Sequence, residues 1–349
     1  MRERHGELTH PEQTWRAGVR DQGTAFKRTD LASMTSTGTA VLLMAHGTPD
    51  VLEQMPEYLT RVRNGRPPSA ELIEEITANY AAIGGRSPLT DITRLQGAAL
   101  QAALGPDIQV LVGMRNWHPF IADVVRDLDP DRVRRVVGIP LAPQFSTLSV
   151  QKYVEAAVAA IPRGIEFECV SSFHDHPLLL SAFAERVAEA APRDDERIVF
   201  TAHSVPVRVV ESGDPYADQV TATARGVAAC AGLNEFDLAF QSAGRTPEPW
   251  LGPDLGEIVR RRGAEGIARF LVVPIGFVCD HTEILFDIDI QAARVADGCG
   301  ATLRRTRSLN DSAAFIGLLG ALVYERVGRA EGQVTQNFGP ARSGLWIQK

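Results

Sequence analysis

The sequence predicts an α/β protein made of two similar, doubly wound (Rossmann-like) domains with a cleft between them. Residues 41–49 (VLLMAHGTP) and 198–206 (IVFTAHSVP) share one pattern, a short apolar run followed by Ala-His and, three residues after the histidine, a proline. Similar apolar runs alternate with helical patterns along the chain. This alternation favours parallel sheets that are covered by helices on both faces.

The remaining elements follow from the same periodicities. Besides the two repeated runs, strands are predicted over 108–114, 135–142, 236–242 and 268–277. Helices are predicted over 69–83, 95–104, 120–128, 149–161, 216–232, 252–263, 281–296 and 317–328.

The chain of 349 residues is long enough for two domains of ordinary size. Residues 1–37 carry scattered charges without an apolar core, so we expect a flexible leader rather than a secretory signal. The predicted N-terminal domain covers 38–147 and is completed by a C-terminal helix within 311–328. The C-terminal domain covers 148–310, and residues 330–349 are expected to be loosely ordered.

Composition excludes several classes of function. A net charge of −7 and a pI near 5.7 argue against a nucleic-acid partner. No run approaches about 18 apolar residues, so no membrane span is expected. Cys169, Cys230, Cys279 and Cys299 are isolated, which argues against zinc-ribbon and iron–sulfur motifs and favours reduced thiols in the cytoplasm.

The residues that follow the apolar runs are the candidates for a binding site, because ligands bind at the carboxyl ends of parallel strands. They are expected to face one cleft: His46, Arg115, Asn116, Trp117, His118, Gln144, His203, Gln241, Ser242, Asp280, His281, Thr282 and Glu283.

A row of polar residues lies within the predicted helix 281–296. Glu283, Asp287 and Gln291 are spaced i, i+4, i+8, which places them on one helical face. A solvated helix face is the plain alternative. The intervening residues are apolar, however, so the helix should be buried and its carboxylates should face a cavity. Such a row could pass a cation or a proton.

His203 and His46 occupy equivalent places after the two repeated strands. A lone histidine is often a hydrogen-bonded structural residue, but a position at a strand end favours a functional role for both. His281 could instead cap or orient its own helix. Dinucleotide, P-loop, nucleophile-elbow and HExxH motifs are all absent, so the candidate chemistry is that of histidines and carboxylates in a large cleft.

Several segments in register resemble the ferrochelatases over roughly residues 40–328. They are LLMAHGTP, RVRNGRPP, YAAIGGRSPL and APQFSTLSV in the first half, and FTAHSVP, GDPYADQ (213–219), FQSAGRTPEPWLGPD (240–254) and PIGFVCDHTEILFDID (274–289) in the second. The resemblance implies two α/β domains of the chelatase type that enclose a porphyrin in their cleft. It also implies haem biosynthesis as the context.

The resemblance implies that His203 and Glu283 form the catalytic pair, which takes up pyrrole protons and guides Fe²⁺ into a distorted macrocycle. His203, Glu283 and Asp287 are the expected metal contacts. A base with a pKa near the working pH suits the removal of two N–H protons. Fe²⁺ is then a substrate, and neither a tightly bound cofactor nor an iron–sulfur cluster is expected.

Within the family the chain is most similar to the branch that acts on coproporphyrin III and gives coproheme. The expected contacts to the porphyrin are His46, Arg63, Arg66, Ser87, Ser149, Tyr153 and Ser242, since four propionates call for basic and hydroxyl groups. The chain departs from that branch at four places. His46 replaces a tyrosine that can ligate haem iron, Asn64 follows Arg63 where a second arginine can occur, Asn116 replaces a common histidine, and Gln291 replaces a glutamate.

Alternatives stay open at this stage. The chain could use protoporphyrin IX and give protohaem, or it could insert cobalt or nickel into another tetrapyrrole. It could also be a non-catalytic haem or tetrapyrrole carrier, which would need His46 but not Glu283. We expect a monomeric, cytoplasmic protein whose partners are the porphyrin and Fe²⁺.

Overall fold

A computed structural model describes residues 38–244 and 246–330. The predicted leader and the tail beyond Ala330 lie outside these residues. The described chain forms two four-stranded parallel sheets, so the predicted fold class is confirmed. The strands are β1 (Thr39–Ala45), β2 (Gln109–Met114), β3 (Arg135–Pro140), β4 (Glu166–Cys169), β5 (Arg197–His203), β6 (Asp237–Gln241), β7 (Arg269–Val273) and β8 (Thr302–Arg305).

Helices connect the strands and cover both sheets. They are α1 (Met55–Val62), α2 (Ala70–Ala82), α3 (Leu89–Leu104), α4 (Ile121–Arg126), α5 (Val150–Ala160), α6 (Pro177–Ala190), α7 (Val207–Glu211), α8 (Tyr216–Ala231), α9 (Leu255–Ala264), α10 (Thr282–Leu285), α11 (Ala293–Gly298) and α12 (Ala313–Ala330). A 3₁₀ turn over Leu52–Gln54 precedes α1, and a π-helix over Asp287–Ala292 separates α10 from α11.

The two sheets have the same topology, as the repeated sequence pattern predicts. The strand orders are β2-β1-β3-β4 and β6-β5-β7-β8, with every pairing parallel. β1 and β5 are therefore equivalent central strands. Each carries a histidine at its carboxyl end, His46 directly after β1 and His203 as the last residue of β5. The fold thus directs both histidines to the ligand-binding edge of their sheets.

The central strands are apolar on both sides because helices cover both faces. Val41 to Met44 in β1 are fully buried, as are Val199 and Phe200 in β5. Two core clusters result. One packs β1 and β3 against α4 and α5, and the other packs β5 to β7 against α9 and the π-helix.

The edge strands β4 and β8 were not predicted. Their sequences, EFEC and TLRR, are short and rich in charged residues, and none of their residues is fully buried. β4 pairs with β3, so the first sheet continues through Cys169. The boundary expected at residues 147–148 is therefore too early, and the division between the sheets lies between Cys169 and Arg197.

Helix α12 contacts both halves of the chain rather than the first alone. It packs against α3 and α6. Arg326 of α12 lies 3.2 Å from Glu168 in the edge strand β4 of the first sheet. Glu325 of α12 lies 3.1 Å, from Oε1 to Nε2, from His176 at the start of α6. No helix of the described ranges is long and apolar enough to cross a membrane.

Asp237 anchors the start of β6 away from the strand ends that carry the histidines. Its carboxylate accepts hydrogen bonds from Arg197 Nε at 2.7 Å and from Arg262 at 2.7 and 2.9 Å. The side chain of Asp237 is only 8% exposed. Burial alone would raise the pKa of Asp237, but the two guanidinium groups hold it below its usual range.

We expect Asp237→Asn to lower the free energy of unfolding by about 1–2 kcal/mol at neutral pH. This loss is smaller than the loss expected for a fully desolvated ion pair, because water screens the partly exposed arginines. A depressed pKa stabilises the fold above the unfolded-state value of about 3.9, and this stabilisation is lost as pH falls through the folded-state pKa. The difference between parent and variant in urea unfolding should therefore shrink below about pH 4. A difference that stays constant with pH would contradict the ion-pair origin.

Candidate active site

A cavity of about 290 Å³ lies at the carboxyl ends of the strands of both sheets. His46 and Ala142 line it from the first half, and His203, Gly276 and Glu283 line it from the second. Gly276 permits a close approach, since a Cβ there would lie 2.7 Å from the Cβ of Ala202 in β5. The expected cleft between the two halves is thus present, and it contains both equivalent histidines.

The backbone fixes the orientation of His203. Its Nδ1 donates to the carbonyl oxygen of Ser204, which leaves Nε2 facing Glu283 Oε1 at 3.6 Å. Burial opposes a charged imidazole, but the Glu283 carboxylate, together with the Ser204 carbonyl and Asp287, raises the pKa of His203 to about 9. At neutral pH His203 is therefore an imidazolium paired with a carboxylate.

Glu283 lies between two imidazoles. His203 contacts Oε1, and His281 Nε2 lies 3.2 Å from Oε2 while its Nδ1 donates to the carbonyl oxygen of Cys279. Although burial alone would raise it, the pKa of Glu283 lies well below its usual range because of these neighbours. Gln241, the last residue of β6, donates from Nε2 to the carbonyl oxygen of Glu283 at 2.8 Å and so ties this turn to the sheet.

The helix expected over 281–296 is not continuous. The chain forms α10, then the π-helix, then α11, and Gln291 N–H bonds to the carbonyl of Phe286, five residues back. The i, i+4 spacing does not distinguish α-helical from π-helical turns, so the sequence pattern missed the change. The row nevertheless runs outward, from Glu283 in the cavity wall, through a partly buried Asp287, to an exposed Gln291.

Asp287 differs electrostatically from Glu283. Burial raises the pKa of Asp287 to about 6, a hydrogen bond from Ser242 opposes the rise, and the nearby Glu283 carboxylate adds to it. Ser242 directly follows β6, and its φ of 61° is a left-handed backbone conformation that residues other than glycine rarely adopt. Ser242 thus contacts the acidic row rather than the lining of the cavity.

His46 is a neutral imidazole at neutral pH. Burial lowers the pKa of His46 to about 4 despite the raising effect of Glu283. The side-chain amide nitrogen of the buried Asn116 lies 3.1 Å from Nε2, and the ring of Tyr58 packs edge-to-face at 6.2 Å. A neutral imidazole in a cavity wall is a suitable ligand for a transition metal.

The remaining predicted residues divide into two groups. Ser149 and Tyr153 line the cavity at the start of α5, and burial raises the pKa of Tyr153. Ser87 is buried beside Leu89, which lines the cavity. The Oγ of Ser87 accepts a hydrogen bond from Leu89 N–H at 3.4 Å. Arg63 and Arg66 are exposed near the end of α1 and do not line the cavity.

The three predicted metal contacts do not converge on one point. Within the described ranges, no group of three His, Cys, Asp or Glu side chains is arranged to hold a metal ion. His203 and Glu283 are adjacent, whereas Asp287 is bonded to Ser242. The arrangement is that of successive contacts along a row rather than of one closed coordination site.

Two residues that were expected to face the cleft, His281 and Arg115, make contacts that the sequence did not indicate. His281 occupies the N-cap position of α10, but its side chain makes no capping bond and contacts Glu283 instead. Arg115 follows β2 and donates at 3.3 Å to two neutral acceptors, the carbonyl oxygen of Leu148 in the cavity wall and Asn64 Oδ1. Its position after a strand was the only sequence signal for a role in the site.

Comparisons with known proteins identify the family of this chain. Residues 38–327 match the family model described as Ferrochelatase. A ferrochelatase from Deinococcus radiodurans is 45% identical over 300 residues, which cover 82% of this chain and 95% of that protein. A coproporphyrin III ferrochelatase from Geobacillus sp. is 38% identical, with 84% of this chain and 99% of that protein covered.

A solved structure supports the fold assignment. The sirohydrochlorin chelatase SirB from Bacillus subtilis subspecies spizizenii, in complex with cobalt, has a TM-score of 0.52 at 14% identity and covers 84% of this chain and 97% of its own. A likeness at this identity concerns the fold alone. The family match over nearly all described residues and the two relatives show that the chain belongs to the ferrochelatase family of enzymes, which insert a metal ion into a porphyrin.

Proposed function

We propose that this enzyme inserts Fe²⁺ into coproporphyrin III to give coproheme, with His203 and Glu283 as its catalytic pair. The observation that carries the proposal is the Glu283 carboxylate between two imidazoles in the wall of the cavity. This arrangement supplies a negative charge for an incoming dication and groups that exchange protons. Both functions are needed to replace two N–H protons by one metal ion.

The pair works through a change in protonation. In the absence of metal, His203 holds a proton because Glu283 stabilises the imidazolium. A dication that reaches Glu283 competes for the carboxylate and lowers the proton affinity of the neighbouring imidazole. His203 then loses its proton and becomes a base for a pyrrole N–H. Metal arrival and proton removal are thereby linked at one residue.

Asp287 gives the released protons an exit. With a pKa of about 6, it exchanges protons readily near neutral pH, and it lies between Glu283 and the exposed Gln291. Gln291 cannot carry a proton as a carboxylate does, so we expect water to complete the path there. Fe²⁺ can pass along the same row in the opposite direction. Oxygen ligands of the row can bind it in turn, because they do not form one closed coordination site.

Recognition of coproporphyrin rests on groups around the cavity. Ser149 and Tyr153 offer hydroxyl donors, and Arg115 lies beside Leu148 with two neutral acceptors as its contacts. Within the part of the chain that the structure describes, no carboxylate forms an ion pair with this guanidinium, and its fork of donors suits a propionate. The relative from Geobacillus sp. that is named for coproporphyrin III supports this choice.

The choice of porphyrin is tested by anaerobic metallation with Fe²⁺, followed by the loss of porphyrin fluorescence. We expect kcat/KM for coproporphyrin III to exceed that for protoporphyrin IX by about tenfold or more, since about 1.4 kcal/mol of extra carboxylate recognition suffices. Arg115→Gln should reduce this ratio, and high salt should reduce it for the parent. A preference for protoporphyrin IX would contradict the assignment, and no metallation of either porphyrin would contradict the enzymatic function.

We expect His203→Ala to lower metallation by about 10²–10⁴-fold, the usual contribution of a positioned base, while porphyrin binding stays measurable by fluorescence quenching. His118→Ala is the matched control, because His118 is exposed and does not line the cavity. Metallation near the parent rate in His203→Ala would refute the role of His203 as the base.

His46 is expected to ligate iron in the product, since it is neutral and lies in the cavity wall. His46→Ala should change the Soret band of the bound ferric product and speed its release. Imidazole added to the solution should restore the spectrum by filling the vacated space. An unchanged spectrum in His46→Ala would show that the iron has another ligand.

A further inference from the structure

The segment Gly213–Gln219 (GDPYADQ) has no role in the chemistry described above. It forms the start of α8 in the second half of the chain. Asp214 and Tyr216 are each only 7% exposed, although both carry polar side chains. Buried polar groups require partners, and the partners of this segment lie on both sides of the cavity.

Asp214 binds a loop of the first half. Its Oδ2 accepts hydrogen bonds from Thr147 N–H at 2.7 Å, from Thr147 Oγ1 at 2.8 Å and from Ser146 Oγ at 3.2 Å. Its Oδ1 accepts from Tyr216 N–H at 3.0 Å, at the first turn of α8. One buried side chain therefore connects the helix of one half with the loop that follows β3 in the other.

Gln219, one helical turn further along, supports the same loop. Its Oε1 accepts from Phe145 N–H at 2.7 Å and from Ser172 Oγ at 2.9 Å. The backbone N–H groups of residues 145 and 147 thus both donate hydrogen bonds to side chains of the second half. A loop whose amides are bonded in this way has a fixed position relative to α8.

Tyr216 connects the same helix start to the catalytic pair. Its hydroxyl donates to the carbonyl oxygen of His203 at 3.0 Å, and its ring lines the cavity. Ser146, Leu148 and Ser149 also line the cavity, and Ser146 and its neighbour Thr147 are the residues that Asp214 binds. The segment therefore contacts the backbone of His203 and a loop that lines the cavity.

We propose that Asp214 is a positioning residue for metal insertion, which sets the place of the loop 146–149 relative to His203. The inference rests on the proposed function, in that the loop is taken to contact the porphyrin and His203 to receive its proton. Proton transfer requires a separation within hydrogen-bond reach, so a small displacement of one wall relative to the other is costly. The bonds of Asp214 prevent such a displacement.

The test compares Asp214→Asn with Asp237→Asn. In Asp214→Asn an amide nitrogen replaces one carboxylate oxygen and cannot accept a hydrogen bond, so this variant loses the bonds to Thr147 or the bond to Tyr216. We expect a higher KM for coproporphyrin III together with a lower kcat, a loss in kcat/KM of about 10–100-fold. Asp237→Asn removes an equally buried carboxylate at the far end of β6, and it should lower the unfolding midpoint without changing kcat or KM.

Thr147→Val provides an independent route to the same contact, because it removes only the hydroxyl donor to Asp214. The effects of Thr147→Val and Asp214→Asn on KM should not add in the double variant, since they break one shared interaction. All rates are measured well below the unfolding midpoint of each variant. If Asp214→Asn does not fold, Thr147→Val should still raise the KM for the porphyrin.

The outcomes separate the two proposals. Suppose that the parent metallates coproporphyrin III, and that the Asp214→Asn variant has a lowered unfolding midpoint but keeps the parent kcat and KM. The positioning role is then overturned, and the proposed function stands. An unchanged KM in a folded Thr147→Val variant, with no folded Asp214→Asn protein, would also overturn it. If the parent does not metallate any porphyrin, the proposed function fails, and porphyrin affinity measured by fluorescence quenching still decides whether Asp214 shapes the cavity.

Discussion

The carboxylate of Glu283 between His203 and His281 is the interaction on which the rest of the site depends. Each partner comes from a different element: β5 ends at His203, the turn before α10 provides His281, and Gln241 of β6 holds the backbone of Glu283. The charge of Glu283 raises the pKa of His203 against the effect of burial, and it adds to the rise that burial causes in the pKa of Asp287. Moving this one side chain would lower the pKa of His203 and break the contacts that the two imidazoles make with opposite oxygens of the carboxylate.

The repeated architecture explains why two histidines face one cavity, and local charge explains why they differ. His46 and His203 occupy equivalent strand ends, yet their pKa values lie at about 4 and about 9. Burial disfavours the charged form of both rings. Glu283 pairs directly with His203, whereas the side chain of His46 contacts the neutral amide of Asn116. A duplicated fold has thus provided one imidazole suited to protons and one suited to a metal.

Much of the fold was predictable, because the buried central strands are nearly continuous apolar runs. The edge strands β4 and β8 were missed since their half-exposed faces resemble loops in sequence. His203 and Glu283 were singled out from strand ends and from the family resemblance, and the structure places their side chains next to each other. The contact between His281 and Glu283 could not be predicted, because residues two apart in sequence meet only through the local shape of the turn. The π-helix likewise depends on packing that the spacing of carboxylates does not reveal.

The polar contacts between the halves give the cavity a defined shape. Gln144 donates to Thr223 Oγ1 at 3.1 Å and to the carbonyl oxygen of Ile275 at 3.2 Å, although it is only 2% exposed. An apolar contact tolerates sliding, whereas a buried hydrogen bond is satisfied in only one arrangement. The bonds of Asp214 and Gln219 share this property. Since the cavity is lined by His203 and Glu283 from one half and by Ser149 and Tyr153 from the other, contacts that specify a single arrangement hold these two sets of side chains at a fixed separation better than a larger apolar interface would.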